Sequence, residues 1–249
     1  MLQSVGDLVG LMRVLGESEA VVIGHDLGAW VAYAAAQTRP DLFRALVMLN
    51  TPVGPREDCK PSDSWEKLHA DTGKRLYHQY FQDPEVACEL NEDICKSLRS
   101  IYYSISGSAG EHERWRLLLA DGETLLDTMA DPKDLPDWLP REALEYYMNE
   151  YSRNGFTGPL NHYRARDRNW KQGSFLSGLK VQQPSMFIGG VADPALQFIM
   201  PLYEKLESHL PNLRKKILLD GVGHSAAEEQ PERVSALLLE FLATLEGKS

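Results

Sequence analysis

The first fifty residues alternate between helical and strand-like hydrophobic patterns. Before Gly16, apolar residues recur at helical spacing and are Val5, Leu8, Val9, Met12 and Leu15. A short apolar run over 19–24 then predicts a strand, residues 27–38 predict a helix, and the continuous apolar run over 45–49 predicts a strand buried on both faces. Strand, helix and strand within about thirty residues form a βαβ unit, whose crossover we expect to be right-handed.

Residues 53–180 have a different pattern, in which aromatic and polar residues mix and buried-strand runs are absent. The helices predicted there cover 65–81, 87–105 and 141–152. The strand pattern then resumes, with predicted strands over 185–190 and 216–219 and predicted helices over 195–210 and 231–245. We therefore predict an α/β fold, with a mostly parallel sheet flanked by helices. Its core comprises residues 1–52 and 181–249, and residues 53–180 form an inserted α-helical cap.

A tight turn joins the first predicted strand to the helix that follows it. Gly24 and Gly28 are small enough to allow the turn, and Asp26 between them would project its side chain from the end of the strand. This pattern is a nucleophile elbow with a carboxylate in place of serine. A carboxylate there indicates an alkyl-ester intermediate formed by displacement at carbon, and not an acyl-enzyme.

Two more polar residues follow predicted strands. His224 lies in a glycine-rich turn after 216–219, and Asp193 follows 185–190. Asp193 could orient the imidazole, which would activate water in a second step. The order nucleophile, acid, histidine is that of α/β-hydrolases. Because open parallel sheets bind ligands at the carboxyl ends of their strands, a cap inserted after Leu49 would lie over Asp26 and exclude water.

Each of these three residues also has a simpler explanation. Asp26 and Asp193 could cap helices or stabilise turns, and His224 could be a surface histidine. Their joint occurrence at three strand ends favours the catalytic interpretation. The other histidines form no ligand pattern, so we predict neither a metal nor a cofactor.

Charge and cysteine usage limit the class of partner and compartment. The formal net charge of −10 argues against nucleic acid and anionic membrane surfaces as partners. No apolar run is long enough to span a bilayer, and no signal peptide is visible. Cys59, Cys88 and Cys95 lack metal-ligand spacing, so we interpret them as free thiols in a reducing, cytoplasmic compartment.

Several motifs are more specific. GHDLGA occurs at 24–29, with LNTP downstream at 49–52, and GVGH at 221–224 is followed by EQP at 229–231. The most discriminating are in the cap, where SRNGFTGPLNHYR occupies 152–164 and RNW occupies 168–170. Together these motifs resemble the epoxide hydrolases of the α/β-hydrolase fold. The resemblance covers essentially the whole chain.

The resemblance implies a two-step reaction on a small-molecule epoxide. Asp26 would attack a ring carbon and form an alkyl-enzyme ester. His224, held by Asp193, would then draw a proton from water, which attacks the ester carbonyl and releases a diol.

The resemblance also assigns roles in the cap. Tyr163 in the cap motif would polarise the epoxide oxygen together with Tyr77, for which Tyr80 is the alternative. A phenol has a pKa of about 10 and can donate a proton without being ionised at neutral pH. The other explanation for Tyr77 and Tyr163 is amphipathic packing within the cap. The residues that we expect to contact the substrate are Leu27, Trp30, Phe156 and Tyr80.

This chain departs from the family pattern at the residue after the nucleophile, where many members have tryptophan and Leu27 stands here. The backbone N–H at this position, one half of the oxyanion hole, is unaffected by the difference. The absence of tryptophan counts against a haloalkane dehalogenase, in which that side chain helps to bind halide.

A second departure concerns the family's His-Gly-aromatic-Pro loop, which supplies the other oxyanion N–H and should lie upstream of the elbow. Neither this loop nor the first four strands of the family core is in the sequence, so the strand over 19–24 is expected to be an exposed sheet edge. The explanations are a fragment or mis-started product, a homo-oligomer in which another copy covers the edge, or a lineage that has lost catalysis. Losing one oxyanion donor costs about 10²–10³ in rate, so we predict slow hydrolysis of the ester.

Two other functions fit parts of the sequence. A dehalogenase of fluoroacetate or haloalkane type would use the same Asp–His chemistry without the cap tyrosines. A non-catalytic ligand-binding protein would keep the outline of the site without turnover. A serine esterase is disfavoured because the sequence contains no Gly-x-Ser-x-Gly motif.

Overall fold

The computed structural model describes residues 1–246, which form two compact units. The sheet unit consists of residues 1–56 and the described residues from 173 onward, and the helical unit consists of residues 57–172. These boundaries lie a few residues from the expected ones at 52/53 and 180/181. One reason is that Val53 is buried at 1% exposure in the core of the sheet unit.

The secondary structure of residues 1–246 consists of β-strands, α-helices and two short 3₁₀ turns. The strands are β1 (Ala20–His25), β2 (Phe43–Leu49), β3 (Arg75–Leu76), β4 (Leu118–Leu119), β5 (Ser185–Gly190) and β6 (Leu213–Leu219). The α-helices are α1 (Leu2–Leu15), α2 (Leu27–Thr38), α3 (Pro61–Thr72), α4 (Tyr77–Tyr80), α5 (Val86–Glu92), α6 (Ile94–Ser104), α7 (Arg141–Asn154), α8 (Thr157–Arg164), α9 (Arg166–Gln172), α10 (Pro194–Phe198), α11 (Met200–Glu204), α12 (Leu206–His209), α13 (Ala226–Glu229) and α14 (Pro231–Glu246). Two 3₁₀ turns cover Leu126–Thr128 and Gly173–Leu176.

The sheet unit is built on four parallel strands in the order β1-β2-β5-β6. The central strand β2 is apolar at successive positions because both of its faces are covered. Leu46 and Met48 pack into the core shared with α1 and α2, whereas Val47 and Leu49 pack into the opposite core with α14. The predicted fold class, an α/β fold with a parallel sheet flanked by helices, is confirmed.

The strand β1 lies at one edge of this sheet and, among the described residues, pairs with β2 alone. Its inward residues Val22 and Gly24 are buried, while Ile23 is 43% exposed. The helix α2 that follows β1 places small residues against the sheet, and those buried there include Ala29, Ala32 and Ala36. Such small side chains let the helix axis approach the sheet closely.

The helical unit has its own buried cores. The larger one is formed by residues including Phe81, Leu90, Leu98, Leu125, Leu144, Phe156 and Leu160. A smaller one surrounds Trp65, Leu76 and Leu117. The sequence predicted no strand here, but β3 and β4 form a two-residue antiparallel pair.

Several predicted helices are shorter in the structure. The helix predicted over 65–81 ends at Thr72, where Gly73 takes a left-handed conformation with φ 67°. The helix predicted over 195–210 is divided into α10, α11 and α12. Pro201 stands in the first turn of α11, and because proline lacks an N–H it suits a helix start and not an interior. Among residues 1–246, no helix is long and apolar enough to cross a membrane.

Candidate active site

The turn between β1 and α2 holds Asp26 in an unusual backbone conformation. Its φ is 50° and its ψ is −122°, and a non-glycine residue rarely adopts a positive φ. A Cβ atom on Gly24 would lie 2.2 Å from the carbonyl oxygen of Gly28, so only glycine fits at that position. The elbow therefore has the tight backbone geometry that the sequence predicted.

Asp26 occupies the N-cap position of α2, but its side chain makes no capping hydrogen bond. The helix-cap explanation therefore does not account for this carboxylate. Its side chain keeps 34% exposure, and Oδ1 lies 3.5 Å from Nε2 of His224. The carboxylate thus faces an imidazole and still has an accessible surface.

The structure brings His224 and Asp193 together at the ends of the neighbouring strands β5 and β6. The Nδ1–H of His224 donates to Oδ2 of Asp193 over 2.8 Å. The other oxygen of Asp193 accepts the backbone N–H groups of Ala195 and Leu196 at 2.8 and 3.2 Å, so Asp193 also caps α10. The two interpretations of Asp193, helix cap and histidine partner, are therefore compatible, because each uses a different oxygen.

The close packing at this edge depends on a second glycine. A Cβ on Gly190 would lie 2.2 Å from the carbonyl oxygen of Val222 and 2.3 Å from that of Gly223. The end of β5 and the turn before His224 can approach each other because Gly190 has no side chain. This approach places Asp193 within hydrogen-bond distance of His224.

The charges of Asp26 and His224 stabilise each other. Burial raises the pKa of Asp26, but the hydrogen bond and positive charge of His224 outweigh it and hold that pKa well below its usual range. Burial lowers the pKa of His224, but the charge and hydrogen bond of Asp193, with a smaller contribution from Asp26, raise that pKa well above its usual value. The contact between Asp26 and His224 thus favours the charged form of each side chain.

Asn50 belongs to this group, although the sequence motif LNTP that contains it was assigned no role in the site. It is 1% exposed, and its φ of 61° turns the chain sharply after β2. Its Nδ2 donates to Oδ2 of Asp193 over 3.2 Å and to the carbonyl of Gly223 over 2.8 Å. The amide therefore connects the acid to the backbone before His224. The available signal was a polar residue directly after a buried strand, at the sheet edge where Asp26 also lies.

In the helical unit, two of the predicted tyrosines lie side by side. The ring centroids of Tyr77 and Tyr163 are 5.9 Å apart in an edge-to-face arrangement. The ring of His78 is 4.2 Å from that of Tyr77 and 5.3 Å from that of Tyr163. The rings of the two tyrosines that the resemblance pairs are therefore neighbours in the helical unit.

Tyr80 has a different environment. Its hydroxyl donates to the Glu89 carboxylate, and Glu89 also accepts the N–H of Leu125 at 3.0 Å. Burial, followed by the hydrogen bond to Glu89, raises the pKa of Tyr80 well above that of an ordinary phenol. The guanidinium of Arg75 lies over its ring at 5.1 Å. These contacts within the helical unit favour Tyr77 over Tyr80 as the partner of Tyr163.

The other predicted substrate contacts are less well supported by their surroundings. Phe156 is buried at 4% exposure in the core of the helical unit. Trp30 packs against the core of the sheet unit, and Leu27 is half-buried at the start of α2. Packing within each unit accounts for Phe156 and Trp30, so their substrate contacts stay predictions. No group of three or more metal-ligating side chains is close enough within residues 1–246 to hold a metal ion.

A parallel sheet with a carboxylate on the elbow, followed by an acid and a histidine on later strands, defines an α/β-hydrolase. A model of the alpha/beta hydrolase family matches residues 2–237. Epoxide hydrolase A of Mycobacterium tuberculosis is 35% identical over 96% of this chain and 74% of its own length. The chain therefore belongs to the α/β-hydrolase family, and this relative is one of its epoxide hydrolases.

Solved structures agree with this assignment. The epoxide hydrolase from an endophytic Streptomyces has a TM-score of 0.92 and 33% identity, over 97% of this chain and 73% of that one. Epoxide hydrolase A from Mycobacterium thermoresistibile has a TM-score of 0.86 and 37% identity, over 96% of this chain and 74% of that one.

Proposed function

We propose that the protein hydrolyses an epoxide to a vicinal diol through an alkyl-enzyme ester on Asp26. The observation that carries the proposal is a carboxylate in the strained elbow, 3.5 Å from a histidine whose other nitrogen binds a buried carboxylate. A carboxylate nucleophile suits attack on an electrophilic carbon. The relatives named as epoxide hydrolases support an epoxide as the small-molecule substrate.

In the first step, an oxygen of Asp26 attacks a ring carbon and the carbon–oxygen bond of the epoxide breaks. An alkoxide is a poor leaving group, so a proton donor to the ring oxygen lowers the barrier. Tyr163 and Tyr77 are the proposed donors, and one of them gives its proton to the oxygen. The product is an ester of Asp26 with a free hydroxyl on the neighbouring carbon.

In the second step, water attacks the carbonyl carbon of the ester. Neutral His224 takes a proton from this water, and the N–H of Leu27 is the proposed donor to the developing oxyanion. The ester bond to the substrate oxygen breaks as that oxygen takes the proton that His224 received, which releases the diol. The second proton of the attacking water passes to His224, which leaves Asp26 as a carboxylate. The imidazolium proton must leave before this step, and the tyrosine that lost a proton in the first step can accept it through solvent.

Esterification itself prepares His224 for this role. The negative charge of Asp26 is one cause of the raised pKa of His224, and esterification removes that charge. The pKa of His224 therefore falls in the intermediate. The Asp193 carboxylate is not consumed, so it still orients the ring and still acts to raise this pKa.

The origin of the oxygen in the diol tests the proposed chemistry. We expect that excess enzyme, allowed a single turnover in ¹⁸O-labelled water, yields unlabelled diol and label in the Asp26 carboxylate. The reason is that water attacks the ester carbonyl and never the substrate carbon. Mass spectrometry of the diol and of the peptide containing Asp26 measures both. Label in the diol on the first turnover would mean direct attack by water and would refute the ester mechanism.

The pH dependence of the two steps should differ. A protonated histidine cannot act as a base, so hydrolysis of the ester should accelerate as the pH rises through the pKa of His224, which the charge and hydrogen bond of Asp193 raise. Ester formation needs the Asp26 carboxylate, whose lowered pKa keeps it ionised into acidic solution. Stopped-flow single turnovers measure the two rates. A hydrolysis rate that does not change across neutral pH would contradict the role of His224. The same rates test the prediction that hydrolysis is the slow step.

A further inference from the structure

The backbone around His224 is fixed by hydrogen bonds from several directions. The carbonyl of Val222 accepts the N–H of Ala192 at 2.8 Å, and the carbonyl of Gly223 accepts Nδ2 of Asn50. The carbonyl of His224 itself accepts Nε2–H of His25 at 2.7 Å. The three carbonyls leading through this turn are therefore all bound.

The N–H groups of the same turn converge on one side chain, Glu229. Its Oε2 accepts the N–H of Gly223 at 2.9 Å, and its Oε1 accepts the N–H of Ser225 at 3.2 Å. These two N–H groups belong to the residues immediately before and after His224. Glu229 therefore spans the histidine, with one oxygen on each side of it.

The short helix α13 returns the Glu229 side chain to the turn that contains His224. Glu229 is the last residue of that helix, and its own N–H donates to the carbonyl of Ser225 at 2.8 Å. The turn from Gly223 to Glu229 is thus closed by main-chain and side-chain bonds together. Charge-assisted bonds of a carboxylate to backbone N–H groups are about twice as strong as neutral ones.

The position of His224 must satisfy two carboxylates at once. Its Nδ1 is 2.8 Å from Asp193, while its Nε2 is 3.5 Å from Asp26, so a small rotation of the backbone would lengthen one contact or the other. A misplacement of about 1 Å at a reacting group can cost about 10²-fold in rate. A side chain that binds the backbone N–H groups on both sides of His224 can therefore affect the reaction rate as well as the stability of the fold.

We propose that Glu229 is a positioning residue for His224, and that it acts on hydrolysis of the ester more than on its formation. The inference rests on the proposed function, because only that reaction separates a step that needs His224 as a base from one that does not. Glu229 does not contact the reacting atoms in this scheme. It holds the turn from which the imidazole reaches Asp193 and the ester on Asp26.

The test compares three variants in single-turnover kinetics with a reactive aryl epoxide. Glu229→Ala removes both acceptors, Glu229→Gln keeps one carbonyl oxygen that can accept one N–H, and Glu228→Gln is the matched control on the exposed neighbouring position. We expect the rate of ester hydrolysis to fall by about 10²-fold in Glu229→Ala, by less in Glu229→Gln, and not at all in Glu228→Gln. The rate of ester formation should change far less in all three.

A spectroscopic measurement on the resting protein separates positioning from general stability. The proton between Nδ1 of His224 and Asp193 should give a low-field NMR signal in the wild type and in Glu228→Gln. It should shift or broaden in Glu229→Ala, while thermal unfolding shows that this variant is still folded. Equal losses in both kinetic steps, with a signal that does not move, would overturn the positioning role.

The outcomes also distinguish this inference from the function on which it rests. If Glu229→Ala forms and hydrolyses the ester at wild-type rates, Glu229 has no positioning role and the ester mechanism stands. If wild-type Asp26 is never esterified, the ester mechanism fails and the kinetic role of Glu229 fails with it. A Glu228→Gln variant as slow as Glu229→Gln would also refute the assignment, because it would show a general effect of charge on α13.

Discussion

Replacing His224 with glutamine is expected to convert the protein into one that is esterified by its substrate and does not release it. Glutamine is close in size to histidine, but it cannot take a proton from water. General-base catalysis contributes about 10²–10⁴-fold, so hydrolysis of the ester should slow by that factor while Asp26 can still attack. Intact-mass measurement after incubation with a reactive aryl epoxide should show one adduct per chain, and peptide mapping should place it on Asp26.

The ester accumulates in this variant because the two steps of the reaction depend on His224 in different ways. The Asp26 side chain is 34% exposed and needs His224 only as a nearby charge, whereas the water of the second step needs a neutral imidazole as base. Loss of the imidazolium raises the pKa of Asp26, because the hydrogen bond and charge of His224 oppose the effect of burial. The incubation therefore includes alkaline pH, at which the carboxylate is ionised, and there the ester should form and accumulate.

Two controls make this experiment decisive. Asp26→Asn should form no adduct, because an amide oxygen is a far weaker nucleophile than a carboxylate. His112→Gln changes the same side chain at an exposed position of the helical unit, and it should turn over like the wild type. If folded His224→Gln stays unmodified at Asp26, catalysis by this chain is refuted and the binding-protein interpretation is favoured.

The sequence was sufficient to predict the central strand and the elbow for specific physical reasons. The apolar run of β2 has only one stable environment, between two layers, and its alternate residues do enter two different cores. Gly24 indicated the tight turn because the carbonyl of Gly28 lies too close to it for any side chain, whereas a Cβ on Gly28 itself would meet no atom within 4 Å. At these positions the local sequence pattern and the tertiary packing require the same conformation, so the local pattern is enough to predict it.

Asn50 and the full extent of β6 could not be predicted in this way. The order β1-β2-β5-β6 places the end of β2 between Asp26 and Asp193, and nothing in the local sequence specifies which strands are neighbours. The strand β6 begins at Leu213, before the predicted start, where its polar residues interrupt the apolar run. Arg214, in the part that was missed, donates to the carbonyl of Thr244 at 2.9 Å, so tertiary contacts satisfy a charge that a local pattern counts against a strand.

In the proposed mechanism, the tyrosines distinguish epoxide opening from displacement of halide. An alkoxide leaving from carbon needs a proton donor, whereas a halide leaves as a stable anion and needs none. Asp26 and His224 would serve either reaction. Leu27 stands where a haloalkane dehalogenase has the tryptophan that helps to bind halide. The side chains that separate the two functions are therefore in the helical unit, where Tyr77 and Tyr163 lie edge to face.

Replacing Tyr163 or Tyr77 with phenylalanine is expected to slow ester formation by about 10²–10³-fold in each case, because each change removes one donor to the developing alkoxide. The double variant should be slower still. Phenylalanine keeps the ring and its packing in the helical unit, so the fold should persist. The measurement is the single-turnover rate of ester formation on Asp26 with an aryl epoxide.

A matched variant and a second substrate class complete this test. Tyr80→Phe should change the rate little, because the Tyr80 hydroxyl already donates to Glu89. An alkyl halide of similar size serves as an internal reference, since its esterification of Asp26 requires no proton donor. If the Tyr163 and Tyr77 variants lose reaction with the epoxide and the halide equally, the tyrosines only support packing. If the wild type esterifies Asp26 from the halide alone, the dehalogenase hypothesis replaces epoxide hydrolysis, because the same nucleophile would then be used without the phenols.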